Sequence, residues 1–426
     1  MGRMSAARID TAVIIAVGSE LLTPHRVDTN SLFLTSRLNE LAIEVQRKVV
    51  VGDDRARLAQ ELDRGLADAD LVVLTGGLGP TDDDLTRDAL SAAVGAPLVE
   101  QREVVESIRA RFEARRMAMP EINLRQAFVP RGAEILANPR GTAPGLWLAW
   151  RDRVVVALPG PPRELEPMVD GPVRARLATR VAGHRLARRV VVVGGRAESY
   201  VEERVQPVYA RWRERTPVVA ATILAAPGQI ELHLSTRAPE PPEAEAALDL
   251  AVADLEAALG RDVYSTLGES LELVVGERLR QREWRLALAE SCTGGLVASR
   301  LTDVPGSSAF LDLAVVAYAN TAKTDLLGVA PALLETHGAV SEPVALAMAS
   351  GVAARAAADV GLGVTGIAGP TGGSEAKPVG TVCIAVTGQA GERVRTFAFR
   401  GERTFVKRQA SQAALDMLRR MLDDRG

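Results

Sequence analysis

Cysteine is scarce in this chain of 426 residues: there are two, Cys292 and Cys383, far apart in sequence. That excludes a disulfide framework and fits a reducing compartment. Histidine is almost as rare. His25, His184, His233 and His337 have no ligand spacing and no C-x-x-C occurs, so a structural zinc site is not expected. An excess of one charge is missing too. With 51 basic against 54 acidic residues the net charge is -3. Bulk nucleic-acid binding needs a dominant basic surface, so nucleic acid is not an expected partner, although a local phosphate site stays open. No apolar run approaches the ~20 residues that span a bilayer. Met1-Gly2-Arg3-Met4-Ser5 leads into no signal-peptide-like apolar segment. The expectation is a cytoplasmic protein without a membrane partner.

What the chain does contain is ordinary globular material, 47% hydrophobic and 25% charged. At roughly 100–200 residues per domain, its length predicts two or three domains. Thr11–Val17 (TAVIIAV) is a continuous apolar run suited to a buried parallel strand. Asn30–Leu41 carries Leu34, Leu38 and Leu41 at helical spacing, Val45–Val51 reads as a strand, Arg55–Asp68 as a helix and Leu71–Thr75 as a third strand. This alternation predicts a parallel sheet with helical crossovers. Leu146–Trp150 and Val154–Leu158 predict a hairpin on its edge. Composition changes after about residue 172. From the basic stretch His184–Arg189 onward, short strand patterns and a helix over Glu243–Leu259 describe a small α+β unit, and 261–270 reads as a linker. Beyond it a helix over Leu271–Gln281, a strand at Leu286–Ala289 and further alternating elements end in a helix over Thr404–Leu422.

Two loops in this last segment carry chemistry. Glu290-Ser291-Cys292-Thr293-Gly294-Gly295 lies between a strand and a helix, which puts Ser291 at the carboxyl edge of a parallel sheet, where α/β proteins bind ligands. The amides of Thr293, Gly294 and Gly295 would point from the helix start toward an oxyanion or a phosphate. A nucleophilic serine needs a base. Lys323, five residues after Tyr318, is the candidate, and it must be neutral to act. The second loop, Thr365-Gly366-Ile367-Ala368-Gly369-Pro370, follows another strand, and its glycines permit close backbone approach to a ligand. Plainer alternatives stay open on these residues alone. Ser291 or Thr293 can cap a helix, Lys323 can be a solvated amine, and Cys292 can be a rival nucleophile or a small buried residue.

The runs ALAESCTGGLVASRLTDVPGSS, VVAYANTAK, LLGV, HGAVSEPVALAMASG and VTGIAGPTGGSEAKPVGTV follow one another within residues 270–426. In that order they resemble the C-terminal domain of the competence/damage-inducible CinA family. That domain is similar to nicotinamide-nucleotide amidohydrolase, which turns nicotinamide mononucleotide into nicotinate mononucleotide and ammonia without a cofactor. The resemblance implies Ser291 as nucleophile, with Tyr318 and Lys323 as its catalytic partners. It implies a substrate site of Thr293, Gly294, Gly295, Asn320, Thr365, Gly366, Gly369 and Arg403, the arginine meeting the substrate phosphate. The chain departs from the family pattern at Leu313 and Ala314, where glycines are usual, and at Lys407, often arginine.

Near the start, Gly18-Ser19-Glu20 with Asp28-Thr29-Asn30 follows the first strand, and Thr75-Gly76-Gly77-Leu78-Gly79-Pro80-Thr81-Asp82-Asp83-Asp84 follows the third. Glycines followed by carboxylates can cradle a pyrophosphate and hold a hard cation; the plainer reading is a turn and an acidic helix start. Over residues 10–170, including NPRGTAPGLW and LPGPPRE, the chain resembles the molybdopterin-binding-type domain at the start of CinA proteins. The resemblance implies an ADP-ribose pyrophosphatase that needs Mg2+ or a similar divalent cation. Asp83 and Asp84 would be the metal ligands, and Glu20, Asp28, Asn30, Gly76, Gly77, Gly79 and Thr81 would line the nucleotide site. Taken together, the expected fold is α/β in three parts: a three-layer parallel-sheet domain over 1–172, a KH-like α+β domain over 173–260 without an evident GXXG loop, and an α/β amidohydrolase domain over 268–426. A homodimer is implied by resemblance. The competing functional expectation is a non-catalytic nucleotide- or pterin-binding protein linked to competence or DNA damage.

Overall fold

The structure is a computed structural model that describes residues 8–181, 185–389 and 391–424. His184 and the segment Met1–Ser5 lie outside them. The chain forms two compact units, Met1–Ala187 with Arg237–Ala244, and Arg188–Thr236 with Glu245–Gly426. Among the described residues no helix is long and apolar enough to cross a membrane.

The first unit holds β1 (Thr11–Val17), α1 (Thr29–Glu40), β2 (Glu44–Val51), α2 (Arg55–Asp68), β3 (Leu71–Thr75) and α3 (Thr86–Val94). There follow β4 (Leu98–Glu100), α4 (Arg102–Ala114), β5 (Phe128–Pro130), β6 (Glu134–Leu136), β7 (Gly145–Trp150), β8 (Arg153–Leu158), α5 (Pro162–Met168) and α6 (Arg174–Ala178). The main sheet runs β2-β1-β3-β8-β7-β6, and β4 pairs with β5 apart from it. The apolar run of β1 is explained by burial on both faces. Val13 and Ile15 pack with Leu58 and Leu62 of α2, and Ala12 and Ile14 with Leu34 and Leu38 of α1 and Leu165 of α5. The three layers are present, but the sheet is mixed rather than parallel. β2, β1, β3 and β8 are parallel, whereas β7 runs antiparallel to β8 and β6 antiparallel to β7. The hairpin is also not on the edge: β8 lies beside β3, and β6, three residues long and too short to show periodicity, covers β7.

Mostly in the second unit, β9 (Arg185–Gly194), α7 (Glu198–Ala210), β10 (Val219–Ala226), β11 (Gln229–Ala238), α8 (Pro241–Leu259) and β12 (Val263–Ser265) build a sheet of order β10-β11-β9-β12 with its helices. The stretch 261–270 is therefore no linker, since β12 pairs antiparallel with β9 and Ser270 caps the next helix through its hydroxyl. That helix is α9 (Leu271–Gln281). After it come β13 (Leu286–Glu290), α10 (Leu296–Thr302), β14 (Leu311–Val316), α11 (Asn320–Leu327), α12 (Pro331–His337) and α13 (Glu342–Ala356). The chain ends with β15 (Val360–Gly366), β16 (Thr381–Gly388), β17 (Arg393–Ala398) and α14 (Arg403–Asp423). The sheet order is β14-β13-β15-β16-β17, with β14, β13 and β15 parallel. Parallel pairing brings the carboxyl ends of β13 and β15, with their glycine loops, to the same edge.

One face of this sheet packs against α9, α10 and α14 through Leu279, Val297 and Leu415. The other packs against α11 and α13 through Leu327, Val344 and Met348. On that second face α13 sits with its backbone directly on β15. A Cβ at Gly363 would lie 2.3 Å from Ala345 O and 2.8 Å from Ala349 N. Leu313, half-buried beside α13, and Ala314, exposed, stand on β14 at the sheet edge, where side chains larger than glycine find room.

Candidate active site

Ser291 follows the last residue of β13, whose residues Leu286–Ala289 are wholly buried. Its amide donates to Val364 O of β15 (2.9 Å), which fixes it to the sheet edge. The preceding residue, Glu290, is 1% exposed. Its carboxylate folds under the start of α10 and accepts from the amides of Gly295 (3.0 Å), Val297 (3.1 Å) and Ala298 (2.8 Å). Charge-assisted bonds of this kind are among the stronger ones in proteins, and here they lock the turn that carries the serine. The amide of Gly294 donates to Ser291 O (3.1 Å). The expectation that Gly294 and Gly295 present amides to a ligand is thereby corrected, because both are spent within the turn. Among the described residues the amide of Thr293 has no acceptor and that of Cys292 meets only its own thiol, and the buried hydroxyl of Thr293 has no partner. Donors for a developing oxyanion thus stand directly after Ser291. Sequence reading passed over Glu290. Its signal was an acidic residue closing an otherwise apolar strand.

Lys323, one turn into α11, is 1% exposed. Its Nζ lies 3.2 Å from Ser291 Oγ, 2.9 Å from Ala317 O and 3.1 Å from Tyr318 O. None of these neighbours is a carboxylate. A neutral amine has two N–H groups and one lone pair, so two carbonyls can take both donors and leave the lone pair facing the serine hydroxyl. Burial pushes the Lys323 amine below its usual range, and proximity to Cys292 opposes this only in part. Cys292 itself is 4% exposed, and burial pushes its thiol up to about 12. A thiol raised in this way stays protonated near neutrality, which favours Ser291 over Cys292 as the candidate nucleophile.

The other expected site residues divide. Tyr318 is 60% exposed and reaches Lys323 through its carbonyl only, while its hydroxyl accepts from Arg403 Nη2 (2.9 Å). Arg403, at the start of α14, also donates to Gly369 O (2.8 Å), so it ties the second glycine loop to Tyr318. A Cβ at Gly366 would come within 3.0 Å of Cys292 Sγ, which shows the two loops lying against each other. Thr365 is buried, with its hydroxyl donating to Ala339 O (2.8 Å). Asn320 opens α11 and is exposed. Lys407, one turn after Arg403, brings its Nζ within 3.5 Å of where a Cβ on Gly294 would stand. Two cations therefore flank the glycine loops.

In the first unit the expected residues line two adjoining cavities of about 340 and 370 Å³ that share Val17, Glu20, Gly160 and Pro161. Gly76, Gly77, Gly79, Asp83 and Asp84 line the first; Asp28 and Asn30 line the second. Gly76 has φ +102°, and a Cβ there would lie 2.2 Å from Val17 O, so only glycine fits. The amides of Gly76 and Gly79 are spent on Leu158 O (2.9 Å) and Asp84 Oδ1 (2.7 Å), whereas those of Gly77 and Leu78 have no acceptor among the described residues. Asn30 braces the wall by donating to Thr75 Oγ1 (2.8 Å) and Gly160 O (2.7 Å). Asp28 caps α1.

The two carboxylates expected to hold a metal are engaged differently in the loop. Both oxygens of Asp84 are held inside the loop, by the Gly79 amide and by the Thr81 amide (2.8 Å) and hydroxyl (2.6 Å). Thr81 also donates to Asp83, which with its own amide holds the Asp83 carboxyl below its usual range. Thr81 is thus a loop brace rather than a cavity residue. Among the described residues no group of three or more His, Cys, Asp or Glu side chains is placed to hold a metal ion. Asp84 serves the loop with both oxygens, whereas Thr81 engages one oxygen of Asp83. The residue missed from sequence is Arg26, the one cation among the described residues lining the second cavity; its signal was a basic residue between two ligand-type motifs.

Comparison with known proteins matches residues 13–179 to the family described as "Probable molybdopterin binding domain" and 268–422 to "CinA C-terminal domain". A CinA-like protein of Koribacter versatilis is 46% identical over 415 residues, covering 96% of this chain and 99% of that relative. CinA-like proteins of Solibacter usitatus (44% over 411 residues) and Acidobacterium capsulatum (43% over 415) match 96% of this chain and 98% and 99% of their own lengths. The chain therefore belongs to the CinA family, with a molybdopterin-binding-type mixed-sheet domain followed by a CinA C-terminal domain.

Proposed function

We propose that the C-terminal domain hydrolyses the carboxamide of nicotinamide mononucleotide to nicotinate mononucleotide and ammonia. The observation that carries this reading is the Lys323 Nζ at 3.2 Å from Ser291 Oγ, buried and without a carboxylate partner. Neutral Lys323 takes the Ser291 proton as Oγ attacks the carboxamide carbon. The amides of Cys292 and Thr293 receive the oxyanion. The ammonium of Lys323 then returns its proton to the leaving nitrogen, the C–N bond breaks and ammonia departs. Water, deprotonated by the same amine, hydrolyses the nicotinoyl ester and frees Ser291. Arg403 and Lys407 supply the positive charge that a 5′-phosphate requires.

The pH profile tests this assignment. Ammonia release at limiting substrate is expected to rise with pH as Lys323 loses its proton, with a midpoint below the ordinary lysine range because burial lowers it. Stability should move the same way. Between the folded and unfolded values only the unfolded chain holds the proton, so stability climbs with pH across that window. A rate profile measured over about pH 6 to 10 that is flat, or that falls as pH rises, contradicts a lysine base.

The cavities beside Gly76 and Glu20 favour a second reading, the binding of ADP-ribose and its breakdown to AMP and ribose 5-phosphate. The unpaired amides of Gly77 and Leu78 suit its diphosphate, and Arg26 adds a cation. A divalent cation accompanying the diphosphate would take Asp83 and phosphate oxygens, and would supply charge neutralisation and an activated water. Arg26→Ala is expected to weaken ADP-ribose binding by about tenfold, the loss of one charge-assisted bond. Calorimetry on the full chain checks it, and unchanged affinity would remove Arg26 from the site. Bound ADP-ribose that yields no AMP would support the non-catalytic alternative.

A further inference from the structure

The second unit contains a cavity of about 400 Å³ away from Ser291, formed where β17 faces α14. Its construction follows from two periodicities. Along β17 every second residue shares a face, which puts Arg393, Arg395 and Phe397 on one side, with Phe399 continuing the alternation. Val394 and Thr396 point the other way: Val394 packs with Ala345 and Ala349 of α13, and Thr396 donates to Glu342 Oε1 (2.8 Å). Along α14, Gln409, Gln412, Ala413, Asp416, Met417 and Arg420 form one helical stripe. The strand face and the helix stripe are the walls. Gly195, Arg196 and Gly228 from the ends of the middle sheet close the cavity.

The charges on these walls do not balance. Arg196, Arg393, Arg395 and Arg420 line the cavity against one carboxylate, Asp416. Three of these arginines are partnered. Arg420 holds Asp416 (2.7 Å) and Asp262 (3.0 Å), Arg196 holds Asp262 (2.6 Å), and Arg393 holds Asp424 (3.0 Å). Arg395 has no carboxylate partner among the described residues; its guanidinium lies over the Phe397 ring, 4.9 Å from the centroid. Phe397 and Phe399 are half-buried and stacked, with centroids 5.5 Å apart. A further wall atom is unsatisfied: Gln409 Oε1 is shut off from solvent and has no donor among the described residues. Arginine donors, an aromatic surface and a buried acceptor without a partner are complementary to the three parts of one ligand class: a phosphate, a flat heterocycle and its exocyclic amine. The volume suits a mononucleotide.

We propose that this cavity is a nucleoside-phosphate site, distinct from the glycine loops at Ser291 and from the cavities of the first unit. Arg395 binds the phosphate with Arg393 beside it, the base rests against Phe397 and Phe399, and the Gln409 carboxamide, turned toward the cavity, accepts from its amino group.

Photolabelling of the full chain with 8-azido-ADP, followed by peptide mapping, separates this site from the others by where the label lands. The expected result is label within residues 393–399 or 409–420, outside the Arg403–Lys407 stretch of the Ser291 site, suppressed by excess ADP and reduced at least about tenfold in Arg395→Glu, with the thermal melt of that variant unchanged. Gln409→Leu should reduce the same label while leaving labels elsewhere alone. Label confined to other peptides, the 400–408 stretch included, overturns the proposal, as does label at 393–399 or 409–420 that survives ADP or Arg395→Glu. Inorganic pyrophosphate competing as well as ADP would remove the nucleoside from the assignment. A short single-stranded RNA competing better than ADP would make the ligand a nucleic acid and end the proposal.

Discussion

Ser291→Ala is expected to slow ammonia release from nicotinamide mononucleotide by about 10⁴-fold or more, the scale seen when a nucleophile is removed from a site that acts as a unit. Lys323→Met should fall by a similar factor. The double variant should be scarcely worse than either single one, because each loss disables the same proton transfer between Nζ and Oγ. Folding should survive both changes. Ser291→Ala removes one oxygen from a turn still held by the Ser291 amide and by Glu290. Lys323→Met exchanges a buried amine for an apolar chain of similar length, which relieves desolvation but leaves two carbonyls, Ala317 O and Tyr318 O, to find other donors. Cys292→Ala should retain the rate within a few-fold, since its thiol is protonated and buried. Steady-state ammonia assays with circular dichroism on each variant decide the matter. Full activity in Ser291→Ala together with loss in Cys292→Ala would mean that the nucleophile has been misassigned.

Gly363→Val should be the most damaging single change outside the site, costing about 3 kcal/mol or more. Its side chain would have to enter the space taken by Ala345 O and Ala349 N, which are backbone atoms that no rotamer change can move. α13 must then lift from β15, and the packing of Val344 and Met348 over Ala287 and Ala289 of β13 opens with it. Because a domain is stabilised by only about 5–15 kcal/mol, the variant should melt far lower or accumulate as insoluble protein. Gly328→Ala is the control. No atom lies within 4 Å of a Cβ there, and its φ of +68° imposes only a left-handed strain of about 1–2 kcal/mol. Equal melting temperatures for Gly363→Val and wild type would show that the helix does not rest on the strand as described.

What sequence disclosed and what it hid follow from range. Thr11–Val17, Leu71–Thr75 and Leu271–Gln281 were legible to the residue, because burial on both faces or a regular apolar stripe is written into consecutive positions. Ser291 and Lys323 could be named as candidates from their loops, but their approach depends on β14 lying beside β13 and on α11 returning over it, which no local pattern records. The direction of β7, the strand β6 and the pairing of β12 with β9 were hidden for the same reason. Each is short or is defined by a distant partner. The functional errors have one cause. Gly294, Gly295 and Asp84 were read as groups offered to a ligand, whereas the chain uses them on itself: Glu290 and Ser291 occupy the two amides, and Thr81 and Gly79 occupy the carboxylate.

The placement of Arg403 and Lys407 four residues apart on α14, beside a lysine whose amine burial pushes below its usual range, bears on how substrate arrives. Under the proposed mechanism the reacting pair starts without net charge, so attraction of an anionic nucleotide falls to these two side chains. Dissolved salt shortens the reach of such attraction to about 8 Å at physiological ionic strength. Capture from dilute solution is therefore salt-sensitive, while the bond-breaking steps at saturation, which take place between buried groups, are not.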